Sequence, residues 1–215
     1  MSPLFPALLI GGAGLVALVL LLRYAAKTSK RAHERVSLLA AELGLAMEPA
    51  AVTFGLFHGA PRARGERRGK KVELYNYTTG SGKSRTTWSS LSAQPRADGG
   101  LKFKITGQGF GSKIAQLFGA KEIQVGDGEF DGAWFIETNR PDFFAAALLP
   151  ELRAKLHAAT RGAPRPSFKM ENGKVLYSEV GGFFNDARCA RFLLIADVVC
   201  DFADIAEVHA TGAGR

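Results

Sequence analysis

The run Gly80-Ser81-Gly82-Lys83-Ser84 carries the sharpest chemical signal in the chain. In a phosphate-binding loop, backbone N–H groups and a lysine cradle phosphates while a serine or threonine holds magnesium. Lys83 and Ser84 are therefore the candidate nucleotide-binding residues. Two features oppose that reading. The first glycine of the motif falls on Tyr77, and Ser84 is followed by the strand-like Arg85-Thr86-Thr87-Trp88-Ser89. The motif needs a helix starting at the lysine, with its N-terminus facing the phosphates. A hairpin turn accounts for the glycines without a nucleotide.

Other chemical patterns are weaker. Phe192-Leu193-Leu194-Ile195-Ala196-Asp197 mimics a Walker B strand and aspartate, but helical periodicity on both sides absorbs it. Asp127-Gly128-Glu129-Phe130-Asp131-Gly132 opens like a calcium loop, yet the position that needs a bidentate glutamate is Thr138. The histidines, His33, His58, His157 and His209, show no metal-ligand spacing, and no Gly-x-Ser-x-Gly elbow is present. The sequence nominates no catalytic residue, no metal ligand and no cofactor, and it points away from an enzyme.

Charge gives the remaining candidates. The formal net charge is +8, and it is concentrated in two segments. One is Arg23, Lys27, Lys30, Arg31 and Arg35. The other is Arg62, Arg64, Arg67, Arg68, Lys70 and Lys71, read as a loop. The rest of the chain is close to neutral. The second segment is the candidate lipid- or partner-binding site, since each cation near an anionic membrane surface contributes about 1 kcal/mol. Neither segment interleaves aromatics with cations, as stacking on single-stranded nucleic acid requires, so a nucleic-acid partner is not expected. Cys189 and Cys200, eleven residues apart on one expected helix, lie about 16 Å apart, outside disulfide reach.

The elements that must position these residues follow from hydropathy. From Leu4 to Leu22 the chain has no charged side chain. That length of helix covers about 28 Å, close to a hydrocarbon core of about 30 Å. The expectation is a single transmembrane helix, with residues 4–22 in the membrane. The basic residues follow the run instead of preceding it, unlike a secretory signal. They place the N-terminus outside and the rest of the chain on the cytoplasmic side of the inner membrane.

Domain boundaries follow: an anchor over residues 1–27, an amphipathic helix over 28–50 and an α+β domain over 51–215. In the helix, Val36, Leu39, Ala40 and Leu43 form one stripe. Within the domain, strands are expected at Ala51–His58, Lys71–Thr78, Arg85–Ser92, Lys102–Thr106, Ile123–Val125 and Ala133–Thr138. A last hairpin, Ser167–Glu171 with Lys174–Val180, turns on Asn172-Gly173. Helices are expected at Lys113–Phe118, after Pro141, at Glu151–Ala159 and over Asp186–His209. Hairpin-joined strands with interspersed helices make an α+β domain with a mainly antiparallel sheet and a long C-terminal helix. A pleckstrin-homology-like barrel is one specific form of this plan, which the helices around 141–160 interrupt.

Several local patterns also resemble a known class. Gly126-Asp127-Gly128-Glu129-Phe130-Asp131, Phe135-Ile136-Glu137-Thr138-Asn139, Pro141-Asp142-Phe143 and Leu148-Leu149-Pro150-Glu151-Leu152-Arg153, with Leu43-Gly44-Leu45 ending the helix, resemble uncharacterised bacterial single-pass membrane-anchored proteins. The resemblance implies a β-rich cytoplasmic domain and carries no activity or site residues. The functional expectation is a non-catalytic binding or adaptor domain at the inner membrane face, meeting an unknown protein partner or anionic lipid. The alternative is a nucleotide-dependent enzyme using the Gly80–Ser84 turn.

Overall fold

The computed structural model describes residues 4–49, 52–53, 57–108 and 121–212. A 40-residue helix, α1 (Leu4–Leu43), ends at Gly44, whose φ of 71° lets the chain turn sharply into β1 (Leu45–Met47). A small ribbon, β2 (Val52–Thr53) with β3 (Phe57–His58), replaces the single strand expected over 51–58. Then come β4 (Arg62–Arg67), β5 (Lys70–Thr79), β6 (Thr86–Gln94), β7 (Phe103–Gly107) and β8 (Lys121–Ile123). The chain continues through α2 (Gly128–Ala133), β9 (Trp134–Thr138), α3 (Pro141–Ala147) and α4 (Pro150–Thr160). It closes with β10 (Ser167–Glu171), β11 (Lys174–Val180) and α5 (Asp186–Gly212). The helix expected at 113–118 lies outside the described residues.

The strands form one antiparallel nine-stranded sheet in the order β1-β4-β5-β6-β11-β10-β7-β9-β8. With β1 and β8 at its two edges the sheet is open and not a closed barrel. The α+β architecture, the antiparallel sheet and the long C-terminal helix are as the sequence implies. The membrane span is not.

Among the described residues no helix is long and apolar enough to cross a membrane. That finding overturns the span expected over 4–22, and with it the single-pass topology and inner-membrane location inferred from it. The physical reason is continuity. The uncharged run is the first half of one helix whose second half carries Arg23, Lys27, Lys30, Arg31 and Arg35. That second half also packs Ala32, Val36, Leu39, Ala40 and Leu43 into the domain. The boundary expected at 27/28 therefore falls inside a helix. Of the first half, Val16 and Leu18 to Leu22 are exposed.

Strand alternation sends one set of side chains, including Val72, Leu74, Leu91, Ala93, Phe103, Ile105, Ile136, Phe168, Val175 and Tyr177, into the core under the helices. At the centre, rings touch in series. Phe103 lies 4.7 Å from Phe144 of α3 and 5.1 Å from Phe202 of α5, and Phe202 lies 5.4 Å from Phe168. Tyr177 continues the chain to Phe192 at 5.4 Å, and Phe192 meets Phe183 at 4.8 Å. Ring pairs at these separations add about 0.5–1.5 kcal/mol beyond the area they bury. This row holds α5 and α3 on the sheet.

The start of α5 is fixed by charge. Glu179, at the end of β11, is fully buried. It accepts hydrogen bonds from Tyr177 Oη at 2.7 Å, Arg188 Nε at 2.5 Å, and Arg191 Nε and Nη2 at 2.8 and 2.7 Å. Arg188 also donates to the carbonyls of Gly182 and Val180. At Gly181 (φ 107°) a Cβ would lie 2.6 Å from the Arg188 guanidinium, so only glycine lets the arginine in. Burial alone would raise the Glu179 carboxyl, but the hydrogen bonds from Arg191, Arg188 and Tyr177 outweigh it and hold it below the usual value.

A depressed folded-state value means the carboxylate stabilises the fold above its unfolded pKa, and that contribution is lost as pH falls through the depressed one. Glu179→Gln leaves two arginines facing no charge in the interior. It is expected to lower the free energy of unfolding at neutral pH by about 3–5 kcal/mol in urea titrations. The same titrations repeated in the acid range should show a flatter pH dependence for the variant than for the parent.

Candidate binding surface

The basic run is a hairpin, not a loop. β4 and β5 pair from Arg62↔Tyr75 to Arg67↔Lys70. Arg68 (φ 53°) and Gly69 (φ 72°) make the two-residue turn, both in the left-handed region that such a turn demands. Strand alternation then divides the six candidate cations between two sides of the molecule.

Arg67, Arg68 and Lys70 reach the solvent stripe of α5. Arg67 Nη2 donates to Asp197 at 2.8 Å, and Arg68 Nη1 to Asp201 at 2.6 Å. Arg68 and Lys70 both bind Asp204, and Lys70 Nζ stands 3.5 Å from Glu207. Lys155 of α4 joins at Asp201, 2.5 Å away. Lys70 is only 4% exposed, so its charge is committed to this clamp.

On the other side, Arg64 pairs with Glu48 at 2.6 Å and Glu73 at 3.3 Å. The Arg62 guanidinium lies 5.1 Å from the centroid of the Tyr75 ring, and Lys71 is exposed. The structure therefore does not bring the six together as one basic patch.

Lys83 and Ser84 sit together in an exposed single turn of 3-10 helix (Gly82–Ser84) that joins β5 to β6. Ser84 Oγ donates to the Ser81 carbonyl at 2.8 Å, and a Cβ on Gly80 would stand 2.5 Å from the Ser84 carbonyl oxygen. The glycine is there for the turn. No α-helix begins at Lys83 to face a phosphate, and Asp197 of the Walker-B-like run is the partner of Arg67.

The calcium-like segment is likewise explained by its own backbone. Asp131 accepts from the amides of Val125, Gly126 and Asp127 at 2.9, 3.0 and 3.2 Å. Asp127 caps α2 through Phe130 N–H. Among the described residues no cluster could hold a metal.

The surface that stands out is one the linear sequence does not display. Among the described helices, α2, α3 and α5 meet the sheet through one face: Phe130 near Trp134, Phe144 on Phe103, Phe192 on Tyr177. On the opposite face of β4, β5, β6 and β11 no described helix packs. There Arg62, Tyr75, Tyr77 and Trp88 form a row, with Tyr75–Tyr77 and Tyr77–Trp88 centroids both 6.2 Å apart. Beside it run small hydroxyls: Ser90 Oγ and Ser178 Oγ are 2.9 Å apart, and Tyr77 Oη donates to Ser178 at 3.3 Å. Trp88 Nε1 donates to Thr79 Oγ1 at 2.8 Å, which fixes the indole. The Tyr75 phenol is raised above its ordinary value by burial first, then by Tyr77 and Glu73.

This fold has a solved counterpart. The chain is similar to the mycobacterial trehalose monomycolate transport factor A, TtfA, at 13% identity and a TM-score of 0.54, over 81% of this chain and 93% of that one. At that identity the likeness to TtfA concerns the fold alone. No protein-family model and no curated protein matches the chain.

Sequence reasoning found the hairpin cations but not their carboxylate partners, and it missed the aromatic row. The signals that pointed to both were present: Tyr75 and Tyr77 at i and i+2 on a strand, and Asp197, Asp201 and Asp204 on one helix stripe. The division of the basic run sets apart two neighbouring lysines. Lys70→Ala is expected to cost about 1.5–3 kcal/mol of stability. Lys71→Ala should stay within about 0.5 kcal/mol of the parent in the same urea titration.

Proposed function

We propose that this chain is a non-catalytic binding domain, an adaptor that takes a protein partner on the open face of its sheet. The observation that carries the reading is the row Arg62–Tyr75–Tyr77–Trp88 on a face that no described helix covers. Arginine, tyrosine and tryptophan are the side chains that dominate binding energy at protein interfaces. Four strands spaced by about 4.8 Å span about 14 Å, and a ten-residue strand runs about 33 Å. The product is about 460 Å², a little over half the roughly 800 Å² each partner contributes to a standard interface and on the scale of a small, transient one.

Hydroxyls on this face are bonded to one another, and the strands that carry them, β5, β6 and β11, hold no histidine or cysteine to activate a nucleophile. That arrangement suits recognition better than catalysis. An anionic lipid surface is the less supported partner, because Arg67, Arg68 and Lys70 are engaged by α5. TtfA is named as a transport factor. An accessory role of that kind agrees with a domain that binds rather than transforms, and it makes partners associated with a membrane the class to test first.

A photo-crosslinking amino acid placed at Tyr75 of the full-length chain in its own cells is expected to give one dominant protein adduct. A second substitution, Tyr77→Ala, should reduce that adduct about 30-fold, as loss of a binding hot spot does. A crosslinker at Leu194, exposed on α5, is the control. Absence of an adduct from the sheet face, or equal capture from Leu194, would sink the proposal.

A further inference from the structure

The tip of the β4–β5 hairpin, Glu66-Arg67-Arg68-Gly69-Lys70-Lys71, contains no apolar side chain. It also has little sheet around it. Pairing of β1 with β4 stops at Gly65, and pairing of β6 with β5 begins at Lys71. Within the sheet, residues 66–70 therefore pair only inside their own hairpin. None of them belongs to the hydrophobic core.

What holds the tip on α5 is charge. Arg67, Arg68 and Lys70 reach Asp197, Asp201, Asp204 and Glu207. The side chains of Arg67 and Arg68 are 30% and 41% exposed, so dissolved ions screen these outer pairs. The closed arrangement also carries its own costs. Arg68 sits at φ 53°, and Arg67 Nε is buried with no hydrogen-bond acceptor among the described residues.

Cys200 lies beneath this contact. It is fully buried, on α5 between Asp197 and Asp204. Burial pushes its thiol up, and the cations that act on it are Arg68, Arg67 and Lys70. All three belong to the tip, which places Cys200 on the part of α5 that the tip faces.

We propose that the hairpin tip is an ionic latch, which lifts off α5 while the rest of the domain stays folded. Lifting bares Cys200 and the stripe Asp197, Asp201, Asp204 and Glu207. In the closed form the chain's own cations fill that stripe; in the open form its carboxylates are free. Regions held by few apolar contacts open locally at a lower free energy than the whole fold, and here the opening is set by screening of the ion pairs. The latch is separate from the sheet face and does not depend on what binds there.

Cys200 reports the opening directly. In the full-length protein carrying Cys189→Ser, uncharged iodoacetamide modifies Cys200 at a rate set by how often the tip lifts. That rate is expected to rise about tenfold between about 50 mM and about 500 mM sodium chloride, while the circular dichroism stays native. Asp204→Asn removes the carboxylate shared by Arg68 and Lys70, and it should speed modification about tenfold at low salt. Lys71→Ala, outside the latch, should leave the rate within about twofold of the parent. Modification no faster than global unfolding, followed by circular dichroism under the same conditions, overturns the proposal. A rate that neither salt nor Asp204→Asn changes also overturns it, because such an opening would not be ionic.

Discussion

A buried carboxylate facing two arginines is costly to assemble, and the position of α5 depends on it. Taking Glu179, Arg188 and Arg191 out of water carries a penalty of several kcal/mol per ion unless each finds its partners. Here the carboxylate takes four hydrogen bonds, and Arg188 takes two further carbonyls from the turn that leads into the helix. The network is therefore satisfied only when α5 starts where it does. From that fixed start the helix crosses the sheet, its aromatic side meeting Phe168 and Phe103 through Phe202. Further along, its acidic stripe meets the β4–β5 turn. Arg35 of α1 ties a second element to the same origin, through Asp186 at 2.8 Å and the Phe184 carbonyl at 2.5 Å.

The acidic stripe and the basic turn explain each other. Asp197, Asp201 and Asp204 would read as an ordinary solvated helix face, and Arg67, Arg68 and Lys70 as an ordinary solvated loop. Joined, they hold a residue, Arg68, in a left-handed backbone conformation that glycine would adopt more readily. Bonds to Asp201 and Asp204 offset that preference. The acidic stripe and the basic turn thus neutralise one another across the fold.

Much of the fold was legible because it is local. Asn172-Gly173 fixes its hairpin to the residue, Pro141 and Pro150 start α3 and α4, and of the helical stripe Leu193, Ala196, Val199, Cys200 and Ala203 on α5 all are buried except half-buried Leu193. What failed is non-local or continuous. β4 was hidden because its outward positions are charged and its inward ones are Ala63 and Gly65, too small to announce a strand. Gly65 is small for cause, since a Cβ there would lie 2.9 Å from Leu45 Cδ2. The uncharged N-terminal run looked self-contained, but helical hydrogen bonding does not stop where hydropathy changes, and α1 passes through Arg23 without a break. The candidate site suffered most: a basic run adjacent in sequence is split by alternation, whereas Arg62, Tyr75 and Trp88, far apart in sequence, are aligned by strand pairing.

An antiparallel sheet needs only one buried face, and the other is free to vary. In this chain the free face keeps lysine and glutamate toward its margins, as in the pairs Lys174–Glu73 at 3.2 Å and Lys169–Glu171 at 2.5 Å, but not at the middle of β5, β6 and β11. Its middle carries Ser90, Ser92 and Ser178, each nearly inaccessible, with taller rings of Tyr75, Tyr77 and Trp88 standing beside them. Small hydroxyls bonded to each other add little to stability, and half-buried rings facing outward add less than they would in the core. Neither is what folding alone would select at these positions. The same rings become useful once a second surface removes their remaining exposure, because most of their apolar area then leaves water at small cost in rotamer freedom. The side of the molecule that contributes least to holding the fold together is thus the side on which the proposed partner surface rests.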